Sequence, residues 1–162
     1  MKAVVVYDTY YGNTQAVAEA IVQELRTEGH EAELRSVREK YPAPPQGDLM
    51  FLGSPVRWGS VTRKVRKFVN DLDEQVWREK PLVVFTTILL QPENATDAQK
   101  ESRENYDIAA GHKLRELVRA EGLNAVEDHL WVDVKSLKGP LVEIGVEKTK
   151  QFVHDFISTM KK

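Results

Sequence analysis

The sequence predicts an α/β protein with a parallel sheet covered by helices on both faces. Short runs that are apolar throughout alternate with stretches of helical periodicity, and glycine or proline marks the junctions between them. Lys2–Tyr7, KAVVVY, is apolar at consecutive positions, as a central strand buried on both faces must be. Residues 13–28 read as a helix, with Val17, Ile21 and Leu25 recurring every four residues beside Ala20, and Gly29 placed to end it. Glu31–Ser36 alternates as a strand does. Residues 41–47, YPAPPQG, must be a loop, because proline lacks the amide donor and restricts the residue before it. LMFLG, 49–53, is a short buried strand. Residues 60–72 form a helix with the stripe Val61, Val65, Phe68, Val69 and Leu72. PLVVFTT, 81–87, is the next buried strand, and residues 88–102 are a polar loop. A helix over 104–121 stops at Gly122. Ala125–Val134 is the fifth strand. The last helix, 146–160, places Phe152, Val153, Phe156, Ile157 and Met160 on one face.

Composition bounds what this architecture can do. The 162 residues fit one domain over 1–162 with a sizeable core, and no internal repeat or second domain is visible. A formal net charge of −2 gives no overall field for nucleic acid. The absence of cysteine excludes disulfides, thiolate metal sites, iron–sulfur ligation and a cysteine nucleophile, and it is compatible with a reducing cytoplasm. The apolar run in MKAVVVYD is too short for a secretory signal, and no stretch reaches membrane-spanning length. A cytoplasmic protein is expected, in which the sequon at Asn94 has no role. His30, His112 and His154 fall on presumed helices or their ends, and adjacent strand residues put His129 and its acidic neighbours on opposite faces, so no metal site is expected. The G-x-S-x-G elbow of a hydrolase is absent.

In sheets of this kind ligands sit beyond the carboxyl ends of the strands, which directs attention to three turns. The first, DTYYGNT, combines the hydroxyls of Thr9 and Thr14, the amide of Asn13 and the flexible Gly12 at the start of a helix. Backbone N–H groups and the helix dipole favour an anion there, in a phosphate cradle without a lysine. It is neither G-x-x-x-x-G-K-[ST] nor G-x-G-x-x-G. The same residues also suit a plain helix cap. The second turn, GSPVRWGS, displays Arg57 and Trp58 on a proline-stiffened loop, where Trp58 either stacks on a ligand or folds back over the core. The third follows Thr86 and Thr87. Ile88, Leu89 and Leu90 there suit the wall of a flat ligand, an interface, or a strand end.

Taken together these loops resemble those of the flavodoxin-like FMN-binding family over the whole chain. TYYGNT is similar to the family's T-x-T-G-N-T at Thr9, Gly12, Asn13 and Thr14, with Tyr11 in place of a threonine. A tyrosine before the glycine resembles the tryptophan-repressor-binding-protein type of NAD(P)H:quinone oxidoreductase and the flavodoxin domains of flavodiiron proteins. GSPVRWG resembles the quinone reductases' G-T-P-T-R-F-G. No insertion splits the last strand, which matches the short-chain type. The resemblance implies a three-layer sandwich with strand order 2-1-3-4-5. It implies that Thr9, Tyr10, Tyr11, Gly12, Asn13 and Thr14 hold the FMN phosphate. Pro55, Val56, Arg57, Trp58 and Gly59 would line the flavin ring, with Thr86, Thr87 and Ile88 closing the other side.

The resemblance further implies electron transfer through the flavin to a redox partner protein or small-molecule acceptor, with an NAD(P)H-dependent quinone reductase as the alternative. One departure is charge. Flavodoxins are usually strongly acidic, yet residues 57–70 carry Arg57, Arg63, Lys64, Arg66 and Lys67 and no acid. That stretch is either a solvated helix face or a basic patch suited to an acidic partner or a phosphorylated nicotinamide. A phosphorylatable receiver domain shares the strand order, but Gly53-Ser54-Pro55 stands where its acceptor aspartate would be. A scaffold that has lost its cofactor is disfavoured by the retained loop chemistry.

Overall fold

β1 (Lys2–Tyr7) occupies the interior of a five-stranded parallel sheet, and in the computed structural model, which describes residues 1–161, the strand order is 2-1-3-4-5. The other strands are β2 (Glu31–Ser36), β3 (Leu49–Pro55), β4 (Leu82–Leu89) and β5 (Ala125–Val134). Pairing is in parallel register throughout, with a shift between Leu82 and Val84 where β4 meets β5. β5 runs without an insertion.

Two-residue alternation along the strands sorts the core into two layers. Ala3, Val5 and Tyr7 face α1 (Asn13–Thr27) and α6 (Gly145–Met160), packing with Ile21, Leu25, Val153 and Ile157. Val4 and Val6 face the other layer with Val65 and Val69 of α2 (Arg63–Asp71) and Leu114 and Val118 of α5 (Ala109–Ala120). Trp77, in the one-turn α3 (Glu74–Trp77), closes that layer and is almost wholly buried. Gly53 on β3 is required by space: a Cβ there would lie 2.1 Å from the Phe85 ring.

Several boundaries differ from the sequence reading for identifiable reasons. The helix expected over 60–72 starts only at Arg63, because Thr62 caps it by accepting from Val65 N–H. Residues 88–102 are not a continuous polar loop. Ile88 and Leu89 extend β4 because β5 offers Asp133 and Val134 as partners. Thr96 and Gln99 form a reciprocal capping box that starts α4 (Asp97–Ser102). That box was legible as T-x-x-Q. The helix expected over 104–121 is preceded by a widened π-helical segment, Arg103–Ile108, before α5 begins. Such widened turns are often retained where a side chain is steered into a site.

Away from the carboxyl edge, His129 on β5 is packed against His112, whose ring centroid is 4.5 Å away, and Trp131 at 5.3 Å. Its Nε2 is buried without a partner. Burial first, then the charges of His112, Arg115 and Lys148, lower its pKa from 6.5 to about 4. The folded protein therefore holds the ring neutral where the unfolded chain would protonate it, so stability falls as pH drops from 6.5 towards about 4. In urea denaturation across that window the midpoint should fall more steeply for the wild type than for His129→Gln. Parallel pH profiles would show that His129 is not the group responsible.

Candidate functional site

The site begins where β1 ends. Asp8 is fully buried, and its N–H donates to the Gly53 carbonyl at 3.0 Å, tying the first loop to β3. Its carboxylate accepts from Arg38 Nε at 2.6 Å and from Thr9 N–H at 2.9 Å, the partners a buried charge requires. The Thr9 hydroxyl accepts from Gly12 N–H at 2.8 Å and closes the turn. Gly12 is the N-cap of α1 with φ 90° and ψ 0°. Nothing would crowd a Cβ there, so the need for glycine lies in the left-handed backbone. No side chain caps α1, which leaves first-turn N–H groups without a protein acceptor at the positive end of a 15-residue helix. The buried Thr14 hydroxyl is hydrogen-bonded to that of Thr87 at 2.8 Å and joins this helix start to β4.

The second loop is a tight hairpin. Arg57 and Ser60 exchange backbone hydrogen bonds of 2.9 and 3.0 Å around Trp58 and Gly59, both at positive φ (55° and 70°). Two positive φ values in a two-residue loop define a type I′ turn, which a tryptophan enters at a cost on the order of 1 kcal/mol. The Trp58 side chain is fully exposed at the tip. The Ser54 hydroxyl accepts from Thr62 N–H and donates to the Pro55 carbonyl, fixing both feet of the loop.

Between these loops lies a cavity of about 300 Å³. Thr9, Tyr10, Tyr11, Asn13 and Thr14 line one wall, and Pro55, Val56, Arg57 and Trp58 line a second. Gly12 and Gly59 set the backbone of those walls without lining the space. From the third turn Thr87 and Leu89 reach it. Thr86 and Ile88 are buried off the cavity, because alternate residues of β4 face opposite ways and Leu89 is the one that joins Thr87.

Sequence reasoning missed Asp107, Val134 and Leu137, which complete the lining with Leu89, one of the three apolar residues it offered there as a wall. Val134 and Leu137 come from the end of β5 and the loop after it, a fourth turn at the same sheet edge that the carboxyl-end rule already covered. This loop lies against the first one: a Cβ on Gly139 would come within 2.3 Å of Asn13 Oδ1. Asp107 had no sequence signal, since the π-helical segment brings it in.

Cations and aromatic rings interleave at the mouth. The guanidinium groups of Arg38 and Arg57 lie 5.2 and 5.0 Å from the Tyr10 ring centroid, and Arg57 also lies 5.3 Å from the Tyr11 centroid. On the far wall, burial raises the pKa of Asp107, partly opposed by Arg103. The arrangement offers donors to an anion at one end and apolar and aromatic walls at the other.

The flavodoxin-domain family matches residues 4–123, and the chain belongs to that family. A flavodoxin from Aquifex aeolicus (strain VF5) is 35% identical over 80 residues, which make up 48% of this chain and 43% of the relative. The chain thus spans less than half the length of that curated relative in the match. Among solved structures, a flavodoxin from the domain Archaea is 19% identical, with a TM-score of 0.73 over 100% of both chains. The flavodoxin, WrbA-like protein from Agrobacterium tumefaciens is 17% identical, with a TM-score of 0.65 over 99% of this chain and 97% of that one. These structural likenesses establish the flavodoxin-like fold.

The left-handed Gly12 makes a direct prediction. Gly12→Ala should cost about 1–2 kcal/mol in chemical denaturation of the cofactor-free protein, the penalty for an L-residue in that conformation. An unchanged midpoint would mean that the loop relaxes to another backbone at no cost.

Proposed function

We propose that this member of the flavodoxin-domain family binds FMN in the carboxyl-edge cavity and works in electron transfer through it. The observation that carries the reading is the uncapped start of α1, with its left-handed Gly12, opening on a cavity with aromatic walls. The residues fit the cofactor. The first-turn N–H groups of α1, the Thr9 and Thr14 hydroxyls and the Asn13 amide would hold the phosphate, with Tyr10 and Tyr11 alongside and Gly12 allowing close approach. Tyr11 contributes an aromatic face where the family motif has a hydroxyl. Pro55, Val56, Arg57 and Trp58 would flank the ring, with Gly59 setting the turn. Thr87, Leu89, Val134 and Leu137 would form the opposite wall, backed by Thr86 and Ile88.

FMN supplies the one- and two-electron chemistry, and the protein supplies position and electrostatics. Arg57 places a cation at the cavity and favours negative charge on a bound ring, while burial holds the Asp107 carboxyl towards its neutral form. Trp58, already extended on a strained turn, needs only to fold inward to cover a flat ligand. The whole of residues 1–162 is proposed as one flavin-binding unit acting in the cytoplasm on a redox partner protein or small-molecule acceptor, with no role for nucleic acid. Among the described residues no helix is long and apolar enough to cross a membrane.

An NAD(P)H-dependent quinone reductase is the second reading. It is favoured by the R-W-G loop with its exposed aromatic and by the likeness to the WrbA-like fold. Steady-state turnover with NADPH and a quinone separates the two, since an electron carrier shows little.

The purified protein should show the visible bands of oxidised flavin and release FMN on denaturation. Thr14→Val and Trp58→Ala should each weaken FMN binding at least about tenfold, or roughly 1.4 kcal/mol, in fluorescence titration. A colourless protein that takes up no added FMN would overturn the proposal.

A further inference from the structure

We propose that the face formed by the first turns of α2, Arg38 and the cavity mouth is a docking surface for an acidic redox partner protein. The inference rests on the flavoprotein reading for its purpose, but its geometry stands separately. Arg63, Lys64, Arg66 and Lys67 are all exposed on α2, opposite Val65 and Val69, which enter the core. Lys67 pairs with Asp71 one turn on, whereas Arg63, Lys64 and Arg66 form no ion pair among the described residues. The first turn of α2 holds no acid, so these cations sit against the positive end of their own helix dipole. Stability alone would place acids there, and the arrangement is one that an external negative surface relieves.

The patch is continuous with the site. Arg38, held by the buried Asp8, shares a shallow depression with Tyr10, Arg63, Lys64 and Lys67, and Tyr10 also lines the cavity. Exposed Tyr11, Trp58 and Leu137 stand at the same mouth, with Lys138 5.9 Å from the Tyr11 ring centroid. An aromatic centre with a charged rim is the composition of a protein interface. Arg63, Lys64, Arg66 and Lys67 occupy the first five residues of α2, about 6 Å of its axis, and Arg38 and Arg57 continue the positive charge to the cavity mouth, so together they match an extended acidic surface and not a single anion. Because the chain as a whole carries −2, the residues outside this patch carry a larger net negative charge, and the cations gather beside the cavity. Such a field orients an acidic partner towards the flavin during approach.

The test measures binding of FMN-loaded protein, its flavin spectrum verified beforehand, to a small acidic ferredoxin and to a basic c-type cytochrome by isothermal titration. Ferredoxin binding should weaken at least about tenfold between roughly 20 and 200 mM salt, and the cytochrome should bind far less at low salt. Arg63→Glu/Lys64→Glu/Arg66→Glu should abolish ferredoxin binding and leave flavin affinity within about twofold; acids in the first turn also favour the helix, so folding is preserved. Equal binding of both probes, or no binding of ferredoxin at low salt, would overturn the proposal. So would a salt-sensitive dimer of this chain that the same variant dissolves, or an effect of the variant confined to NADPH affinity. Loss of the flavin spectrum before any probe is added would instead count against the flavoprotein reading, and titration of the cofactor-free protein would still test the surface.

Discussion

The interior position of β1, paired in parallel to β2 on one side and β3 on the other, is the constraint on which the rest depends. Each parallel connection must cross over a face of the sheet, and at this point of the strand order the crossovers leave in opposite directions. The loops that follow β1 and β3 therefore diverge and leave a crevice between them. Hydrogen bonding then fixes its width. Asp8 N–H reaches Gly53 across the top of the sheet, Thr14 reaches Thr87, and Gly53 is small enough to let Phe85 fill the space beneath. The crevice is a product of topology, and its edges are held by a few buried polar contacts.

Those contacts also connect the cavity to the charged face beside it. The Asp8 carboxylate is buried, and its main partner is Arg38, which is partly exposed at the depression next to α2. One ion pair thus anchors the first loop and presents a fixed cation to solvent. Arg57 has a similar double position, lining the cavity while lying near the rings of Tyr10 and Tyr11. Charge at the mouth and shape of the pocket are consequently not independent, and substitution of either arginine would alter both. Arg63, Lys64 and Arg66 are further removed and bear on the surface alone.

Two features of the site carry a conformational cost. Trp58 occupies a left-handed backbone position and exposes its whole ring, and the first turn of α1 lacks a cap. The first would be relieved by a glycine or asparagine at the turn, whereas the second follows from Gly12 itself, whose left-handed backbone at the cap position a capping serine or aspartate would enter only at a cost. Their joint presence at one cavity supports the proposal that a ligand supplies the missing contacts there.

The sequence by itself determined the fold class, every strand, and the loops that bear the two main walls of the site. These are written in local signals: consecutive apolar residues for buried strands, four-residue recurrence for helices, and small polar residues around Gly12 at a strand-to-helix junction. It did not determine where β4 stops, because Ile88 and Leu89 remain in strand only by pairing with Asp133 and Val134 some 45 positions later. Nor did it mark Asp107, Val134 and Leu137 as lining residues. Their place follows from a widened helical turn and from the loop after an edge strand folding back onto Asn13. Contacts between residues distant in sequence leave no periodic trace along the chain, so only the tertiary structure decided them.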